Sequence, residues 1–226
     1  MNSLVLNLAH RVVQRIIDIP RRGLPVLLRK PAELLPDNFD ARYGVETSKL
    51  VWLTNISSAN YAHGIRYEPC PPAGVHWAIK ESGIDPAEYW FVDVGCGKGR
   101  PLIIASEYAF PHLIGIDYSA DLCRQAASNL RKYRVSAERF RIDCADATEY
   151  VFPEHNLLLF LYNPFSPVVL RKMMSHLEAN RKHLCIAFIG ELRYALQEYS
   201  WLHLIAQTND ADIYRNQLHR APKFRG

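Results

Sequence analysis

The stretch FVDVGCGKGRP, residues 91–101, decides how this sequence folds. It opens with apolar, β-forming residues typical of a buried strand, and glycine then stands at positions 95, 97 and 99. Glycine weakens strands and helices, so three in close succession indicate a tight turn that leaves room for a ligand beside the backbone. Pro101 suits the first turn of a helix, where its missing N–H is not needed. The stretch therefore predicts a strand, a ligand-facing turn and a helix in succession.

Apolar runs and helical patterns alternate from residue 88 onward, which is typical of an α/β fold. We expect a doubly wound, mostly parallel seven-stranded sheet with helices on both faces, and an N-terminal amphipathic helical leader. The expected strands lie at 90–94, 112–116, 138–142, 156–162, 183–189, 201–207 and 211–215, and the expected helices at 72–82, 100–109, 120–133, 167–180 and 191–199. In such sheets, ligands bind beyond the carboxyl ends of the strands.

The chain has 226 residues, of which 49% are hydrophobic, enough for one sizeable core. We expect a basic leader at 1–36, an N-terminal capping segment at 37–87 and a main domain at 88–226. The longest apolar run, residues 157–162, is far shorter than the roughly 20 residues of a membrane-spanning helix. The five cysteines have no CxxC spacing, which argues against a zinc site or a redox pair and favours a reducing, cytoplasmic location.

The leader carries the whole formal net charge of +4, and the rest of the chain is charge-balanced. Residues 4–17 place apolar side chains at three- and four-residue steps, which predicts an amphipathic helix ending at Pro20. Three interpretations stay open: the apolar stripe packs on protein, residues 1–30 contact an anionic membrane surface peripherally, or the segment targets an organelle. The balanced charge of the main domain disfavours a broad nucleic-acid-binding face.

The spacing of the glycines excludes two common phosphate-binding turns. A GxGxxG dinucleotide turn starting at Gly95 would need glycine at position 100, which holds Arg100. A GxxxxGK[ST] loop is absent as well, because Gly99 follows Lys98. The nine histidines form no HxxxH or HxH pair, and the sequence has no GxSxG elbow. We therefore expect neither a dinucleotide, a nucleoside triphosphate nor a metal site.

The remaining pattern, D-x-G-x-G-x-G from Asp93 to Gly99, resembles the glycine loop of class I S-adenosylmethionine-dependent methyltransferases. The resemblance covers about residues 88–216 and implies that the main domain binds S-adenosyl-L-methionine (SAM) as its cofactor. It also implies that the amino-acid end of SAM lies on the loop and that Asp93 balances its positive charges. The loop residues implicated are Gly95, Cys96, Gly97 and Gly99, with Cys96 a small filler rather than a nucleophile.

The same resemblance assigns roles to the acids that follow the next two strands. It implies that Asp117, followed by Tyr118, accepts hydrogen bonds from both ribose hydroxyls. It implies that Asp146, followed by Ala147, accepts from the adenine amino group, with Asp143 as a competitor. Local interpretations stay open: a helix cap for Asp117, and a cap or turn for Asp146.

The fourth expected strand ends in FLYNPF, residues 160–165. In related amine methyltransferases, an Asn or Asp before a proline and an aromatic residue accepts a hydrogen bond from the target nitrogen. By this likeness Asn163 is the catalytic candidate, and Tyr162, Pro164 and Phe165 wall the acceptor pocket. The motif lacks the second proline of the NPPY motif of DNA-adenine and glutamine methyltransferases, which argues against a flipped base. A turn after a buried strand is the alternative explanation.

Two upstream segments, FDARYGVETSKLVWL and HGIRYEPCPP, resemble those ahead of the glycine loop in non-SET, seven-strand protein lysine methyltransferases. By that likeness Tyr43, Thr47, Tyr67 and Glu68 close over the cofactor or the acceptor, with Tyr67 and Glu68 on the substrate side. The alternative is an extended, proline-rich connector.

These resemblances lead us to expect a SAM-dependent methyltransferase that methylates the nitrogen of a protein lysine or a similar amine. One alternative is a small metabolite or lipid headgroup as acceptor. Another is a SAM-binding interaction module without catalysis. In either enzymatic case the partner is a protein or small-molecule methyl acceptor, and nucleic acid is disfavoured by the charge balance of the main domain.

Overall fold

A computed structural model of the chain describes residues 38–49, 67–163, 166–178 and 182–216. The predicted leader at 1–36, as well as Pro164 and Phe165, lie outside the described residues. Within the described ranges, none of the helices is long and apolar enough to cross a membrane.

Helices and strands alternate along most of the described chain, as the sequence predicts. The α-helices are Phe39–Tyr43 (α1), Pro72–Glu81 (α2), Arg100–Ala105 (α3), Ala120–Lys132 (α4) and Pro167–Glu178 (α5). The strands are Trp90–Val94 (β1), Leu113–Asp117 (β2), Phe140–Cys144 (β3), Leu157–Tyr162 (β4), Leu184–Ile189 (β5), Leu202–Gln207 (β6) and Ala211–Asn216 (β7). Short 3-10 helices span Pro86–Glu88 and Glu191–Glu198.

The strands form one seven-stranded sheet in the order β3-β2-β1-β4-β5-β7-β6. β1 to β5 are parallel to their neighbours, whereas β7 pairs antiparallel with both β5 and β6. The sheet is therefore mixed, with one antiparallel hairpin at its end. The turn between β6 and β7 is three residues long, which is too short for the crossover that a parallel pair requires. The strand order reverses between β1 and β4, and this is the point where open α/β sheets bind their ligands.

Each face of the sheet carries its own apolar core. The first core packs α2, α3 and α4 on one face, and the second packs α5 and the 3-10 helix at 191–198 on the other. β1 shows the alternation that creates them, because Phe91 lies in the first core while Val92 and Val94 lie in the second. Helices thus cover both faces, as predicted.

Several elements differ from the expected ones, most of all α3, β3 and the helix at 191–198. α3 ends at Ala105 instead of 109, and a turn follows whose carbonyls at Ser106, Tyr108 and Phe110 accept hydrogen bonds from the guanidinium of Arg139. β3 begins at Phe140, after that arginine, and runs to Cys144 rather than 142. The segment at 191–198 is a 3-10 helix and not an α-helix. All three elements are present where the sequence predicts them. The hydrogen bonds of Arg139 lie between the end of α3 and the start of β3, where the expected bounds differ from the observed ones.

Candidate active site

The glycine loop bends sharply where β1 ends at the switch point of the sheet. The backbone N–H groups of Gly95 and Cys96 both donate to the carbonyl of Ile116 in β2, at 2.8 and 3.0 Å. Gly95, Gly97 and Gly99 all have positive φ, at 79°, 52° and 80°, a region that other residues enter at a cost. The N–H of Gly99 closes the turn by donating to the carbonyl of Cys96 at 2.8 Å. Cys96 is buried, in keeping with a small filler.

The loop has no room for side chains at Gly97. A Cβ placed there would overlap the ring of Tyr67, which lies against the glycine. The Tyr67 hydroxyl donates to the carbonyl of Thr47 at 2.6 Å, and burial raises the pKa of Tyr67 far above its usual value. The structure thus brings Tyr67, predicted as a substrate-side residue, directly onto the loop. Glu68, its neighbour, is exposed.

Asp93 is a buried carboxyl group at the entrance of the loop. Its side chain is 2% exposed, and its Oδ2 has no hydrogen-bond partner among the described residues. Burial raises the pKa of Asp93 well above its usual value, and the negative charge of Asp117 raises it further. A buried carboxyl oxygen without a partner is costly in free energy, so the site favours a ligand that brings a positive charge or a donor.

Asp117 ends β2 and organises the loop from the side. Its Oδ2 accepts from the N–H of Gly97 at 2.9 Å, and its Oδ1 accepts from the N–H of Ser119 at 2.9 Å. Burial raises the pKa of Asp117, while these backbone hydrogen bonds act in the opposite direction. The helix cap of α4 is Ser119, whose side chain accepts from Leu122 N–H, so Asp117 is not that cap. Each carboxylate oxygen keeps a second lone pair for a ligand.

The structure separates the two candidate acids after β3. Asp143 lies within the strand, where its carboxylate accepts from Arg141 at 2.8 Å and from the Tyr150 hydroxyl at 2.6 Å. Asp146 lies in the following loop, and its Oδ1 accepts from the N–H of Thr148 at 2.8 Å. Asp146 therefore makes the turn contact that the local interpretation expects.

The loop of Asp146 lies beside the loop that follows β2. The N–H of Ala145 donates to the carbonyl of Asp117 at 2.9 Å. The thiol of Cys144 lies 3.8 Å from the carbonyl of Tyr118. Tyr118 and Ala147 are both partly buried. The predicted adenosine-side residues thus come from two adjacent loops at one edge of the sheet.

Asn163 directly follows β4 and has an unusual backbone. Its φ is 42°, its N–H donates to the carbonyl of Ile189 at 3.0 Å, and its side chain is exposed. None of the other described residues hydrogen-bonds its side-chain amide. Tyr162, one residue earlier, is partly buried against the first core. Because Val94 pairs with Leu161, Asn163 and the glycine loop leave adjacent strands at the same edge.

Arg100 has a structural role that the sequence did not predict, since there it served only to reject a dinucleotide turn. Its guanidinium is buried, and it donates to Thr47 Oγ1 at 2.8 Å, Ser48 Oγ at 2.7 Å and the carbonyl of Cys70 at 3.4 Å. It also lies 3.8 Å from Asp40 Oδ1, a carboxylate that the N–H groups of Thr47 and Ser48 hold at 2.8 Å. Arg100 therefore ties residues 39–49, which we name the N-terminal strap, to the glycine loop.

A second attachment joins the N-terminal strap to α4. The side chain of Asn129 is buried, donates to the carbonyls of Glu46 and Lys98 at 3.0 Å each, and accepts from the N–H of Glu46 at 3.1 Å. The ammonium of Lys98 donates to the carbonyl of Lys49 at 3.0 Å. Thr47, predicted as a closing residue, is fully buried under these contacts, and Tyr43 packs at their side against Phe39 and Tyr133. No signal in the local sequence pattern predicts these long-range contacts.

The residues at the loop fit SAM. The unpartnered, buried carboxyl oxygen of Asp93 suits the cationic amino-acid end of the cofactor, and the side-chain-free glycines allow close approach to the backbone. No group of three or more His, Cys, Asp or Glu side chains within the described ranges has the arrangement of a metal site.

Comparison with known proteins agrees with this geometry. The methyltransferase domain family matches residues 91–188. No curated protein matches the chain by sequence. An RNA methyltransferase of Salinibacter ruber, solved with S-adenosyl-L-homocysteine, shares the fold at a TM-score of 0.52 and 20% identity, covering 69% of this chain and 97% of its own. The yhhF protein of Escherichia coli, named as a methyltransferase, shares the fold at a TM-score of 0.53 and 17% identity. The match covers 64% of this chain and 86% of that protein's chain.

The structural likenesses establish the Rossmann-like methyltransferase fold, and the family match covers the strands that carry the glycine loop and Asn163. Residues 91–188 therefore match a methyltransferase domain, and the described chain has the Rossmann-like fold of class I SAM-dependent methyltransferases.

Proposed function

We propose that the protein transfers the methyl group of SAM to the nitrogen of a protein lysine or a similar amine. The observation that carries the proposal is the exposed amide of Asn163, which stands at the end of β4 in a left-handed backbone conformation, beside the strand that leads into the glycine loop. Asparagine adopts this conformation more readily than most residues, so the position suits a side chain that must point out of the strand end.

The cofactor would be held from three loops. Asp93 and the glycine loop would take its amino-acid end, because the buried carboxyl oxygen lacks a partner there. Asp117 would accept the ribose hydroxyls with the lone pairs that its backbone contacts leave over. Asp146 is favoured over Asp143 for the adenine end because it lies in the loop after β3, whereas Asp143 lies within the strand with Arg141 and Tyr150 on its Oδ2.

SAM, when bound, supplies a methyl group that is already activated on a sulfonium, so the protein's part is mainly alignment. Asn163 Oδ1 would accept a hydrogen bond from the neutral amine and direct the nitrogen lone pair at the methyl carbon. A nitrogen–carbon bond then forms as the sulfur–carbon bond breaks. Tyr162 would contribute a wall of the acceptor pocket. The acceptor ammonium gives up its proton to solvent before transfer.

The charge distribution favours a protein or small-molecule amine over nucleic acid. Outside residues 1–36 the chain is charge-balanced, whereas phosphate recognition calls for clustered Lys and Arg. The Salinibacter ruber neighbour acts on RNA, but at 20% identity its likeness extends to the fold alone.

Methyl transfer from labelled SAM into a host lysate tests the proposal. We expect label in protein, recovered as methyl-lysine after acid hydrolysis. Asn163→Gly retains the left-handed backbone and removes the amide, so it should slow transfer by about 100-fold, as a misaligned acceptor does. The affinity for S-adenosyl-L-homocysteine, measured by calorimetry, should change less than about twofold.

The possible failures point to different errors. Label found only in lipid or small molecules would contradict the protein acceptor, and label in RNA would contradict the choice of an amine on a protein. Unchanged transfer by Asn163→Gly would contradict the role of its amide.

A further inference from the structure

The side chain of Asn163 packs against Gly190. Gly190, directly after β5, has a φ of 132° and a ψ of −177°, a conformation that only glycine adopts readily. A Cβ placed on Gly190 would overlap the side-chain oxygen of Asn163. The Gly190 backbone is therefore the surface that supports the Asn163 amide.

The two polar groups of Gly190 are both held. Its N–H donates to the carbonyl of Asp210 at 2.9 Å, and its carbonyl accepts from Arg193 Nη1 at 3.0 Å. Arg193 Nη2 donates to the carbonyl of Asn209, the residue before Asp210. One guanidinium thus fixes the Gly190 carbonyl and also the turn that fixes the Gly190 N–H.

Arg193 is itself buried and held by a second set of contacts. It is 6% exposed, and its Nε lies 3.5 Å from Oδ1 of Asp212, which is fully buried in β7. Asp212 Oδ2 accepts from the Tyr214 hydroxyl at 3.2 Å. Buried ion pairs contribute little net stability, because desolvation cancels much of the attraction. The Arg193–Asp212 pair is therefore better explained as holding the guanidinium in position than as stabilising the fold.

We propose that Arg193 is a positioning residue for methyl transfer, acting through the Gly190 backbone to hold the Asn163 amide in place. The inference rests on the proposed role of Asn163 in orienting the acceptor amine. The hydrogen bonds of the Arg193 guanidinium go to Gly190, Tyr194 and Asn209 and not to Asn163, and in this proposal Arg193 touches neither cofactor nor acceptor. It would therefore affect the transfer rate while leaving cofactor binding unchanged.

A double-mutant cycle between Arg193→Lys and Asn163→Gly tests this. Lysine keeps the charge beside Asp212 but cannot donate to Gly190 and Asn209 at once. We expect Arg193→Lys to slow transfer from labelled SAM into lysate protein by roughly 10- to 100-fold, with an unchanged KM for SAM. In the Asn163→Gly background the same change should alter the rate less than about twofold, because there is no amide left to position.

The cycle has a matched control and a second arm. Arg139 likewise donates to backbone carbonyls, those of Ser106, Tyr108 and Phe110, and none of these residues contacts Gly190 or Asn163. Any effect of Arg139→Lys should therefore multiply with that of Asn163→Gly. Gly190→Ala forms the second arm. Its loss of rate should become smaller with Asn163→Gly, which removes the overlapping oxygen, whereas the backbone strain of alanine at a φ of 132° remains.

Each result decides one question. Rates for Arg193→Lys and Asn163→Gly that simply multiply would overturn the positioning role, as would a raised KM for SAM with an unchanged maximal rate. Full activity of Asn163→Gly would instead refute the proposed function. If Arg193→Lys does not fold, the cycle with Gly190→Ala decides in its place: losses of rate for Gly190→Ala and Asn163→Gly that multiply in full would overturn the positioning role.

Discussion

Asp93→Asn should make the cofactor-free protein more stable while weakening its hold on the cofactor. The Asp93 side chain is 2% exposed, and its Oδ2 has no hydrogen-bond partner among the described residues. Asparagine has nearly the same shape but carries no charge, so burying it next to Asp117 costs less. The substitution therefore separates what Asp93 does for binding from what it does to the fold.

The size of both effects follows from the burial. Both side chains leave a buried polar group without a partner, so the gain comes from the charge that asparagine lacks. Because an unpartnered charged group costs more than the about 1–3 kcal/mol of a neutral one, we expect a gain of about 1–3 kcal/mol in the free energy of unfolding at pH 7.5. With a urea slope of about 2 kcal/mol per M, the midpoint should rise by roughly 0.5–1.5 M. A charged hydrogen bond contributes about 1.5–3 kcal/mol, so the affinity for S-adenosyl-L-homocysteine should fall roughly 10- to 150-fold.

The gain should also depend on pH, with a definite sign. The pKa of Asp93 is raised on folding above its usual 3.8, so its stabilising contribution is complete below that value and is lost as pH rises through the folded pKa. The advantage of Asp93→Asn should therefore be small near pH 4 and grow toward neutral pH. Asp121→Asn, at an exposed site in α4, serves as the control and should stay within about 0.5–1 kcal/mol of wild type.

Urea unfolding at pH 4.5 and pH 7.5, together with calorimetric titration of S-adenosyl-L-homocysteine, provides the measurement. A variant that is less stable than wild type at pH 7.5, or whose gain does not change with pH, would refute the reasoning about the buried charge. Unchanged affinity for the ligand would refute the binding role.

Two further substitutions examine the loop and the N-terminal strap. Gly97→Ala places a Cβ against the ring of Tyr67 at a φ of 52°. We therefore expect the free energy of unfolding in urea to fall by at least about 1–2 kcal/mol, and S-adenosyl-L-homocysteine to bind more weakly by calorimetry. Wild-type values for both would contradict the close contact. Arg100→Lys keeps the charge but cannot donate hydrogen bonds to Thr47 and Ser48 at the same time. Amide hydrogen exchange of those two residues should therefore accelerate roughly 10- to 100-fold. Unchanged protection would contradict the role of Arg100 in holding the N-terminal strap.

Local patterns were enough to predict the strand, turn and helix around the glycine loop. Alternating apolar residues define β1, and positive φ at Gly95, Gly97 and Gly99 is the property that made glycine informative there. The apolar runs locate the strand ends to within a residue or two. They therefore also predict the positions of Asp117 at the end of β2 and Asn163 directly after β4.

The features that sequence reasoning missed depend on contacts between distant residues. Arg100 acquires its role from Thr47, 53 positions away, and Arg193 acquires its role from Asn209 and Asp212. The sequence favoured Asp146 but kept Asp143 as a competitor for a related reason. β3 extends two residues beyond its expected end at 142, which places Asp143 inside the strand, where its side chain meets Arg141.

We expect the N-terminal strap to belong to the same folding unit as the glycine loop. The sequence suggests a self-contained unit from residue 88, but a chain cut there would lose Asp40, Thr47 and Ser48, and Arg100 would keep a buried charge with its main partners removed. Asn129 would lose its bonds to Glu46 as well. Shortened versions made for crystallisation or for screening of inhibitors should therefore start upstream of Phe39, so that Arg100 and Asn129 keep their contacts with the N-terminal strap.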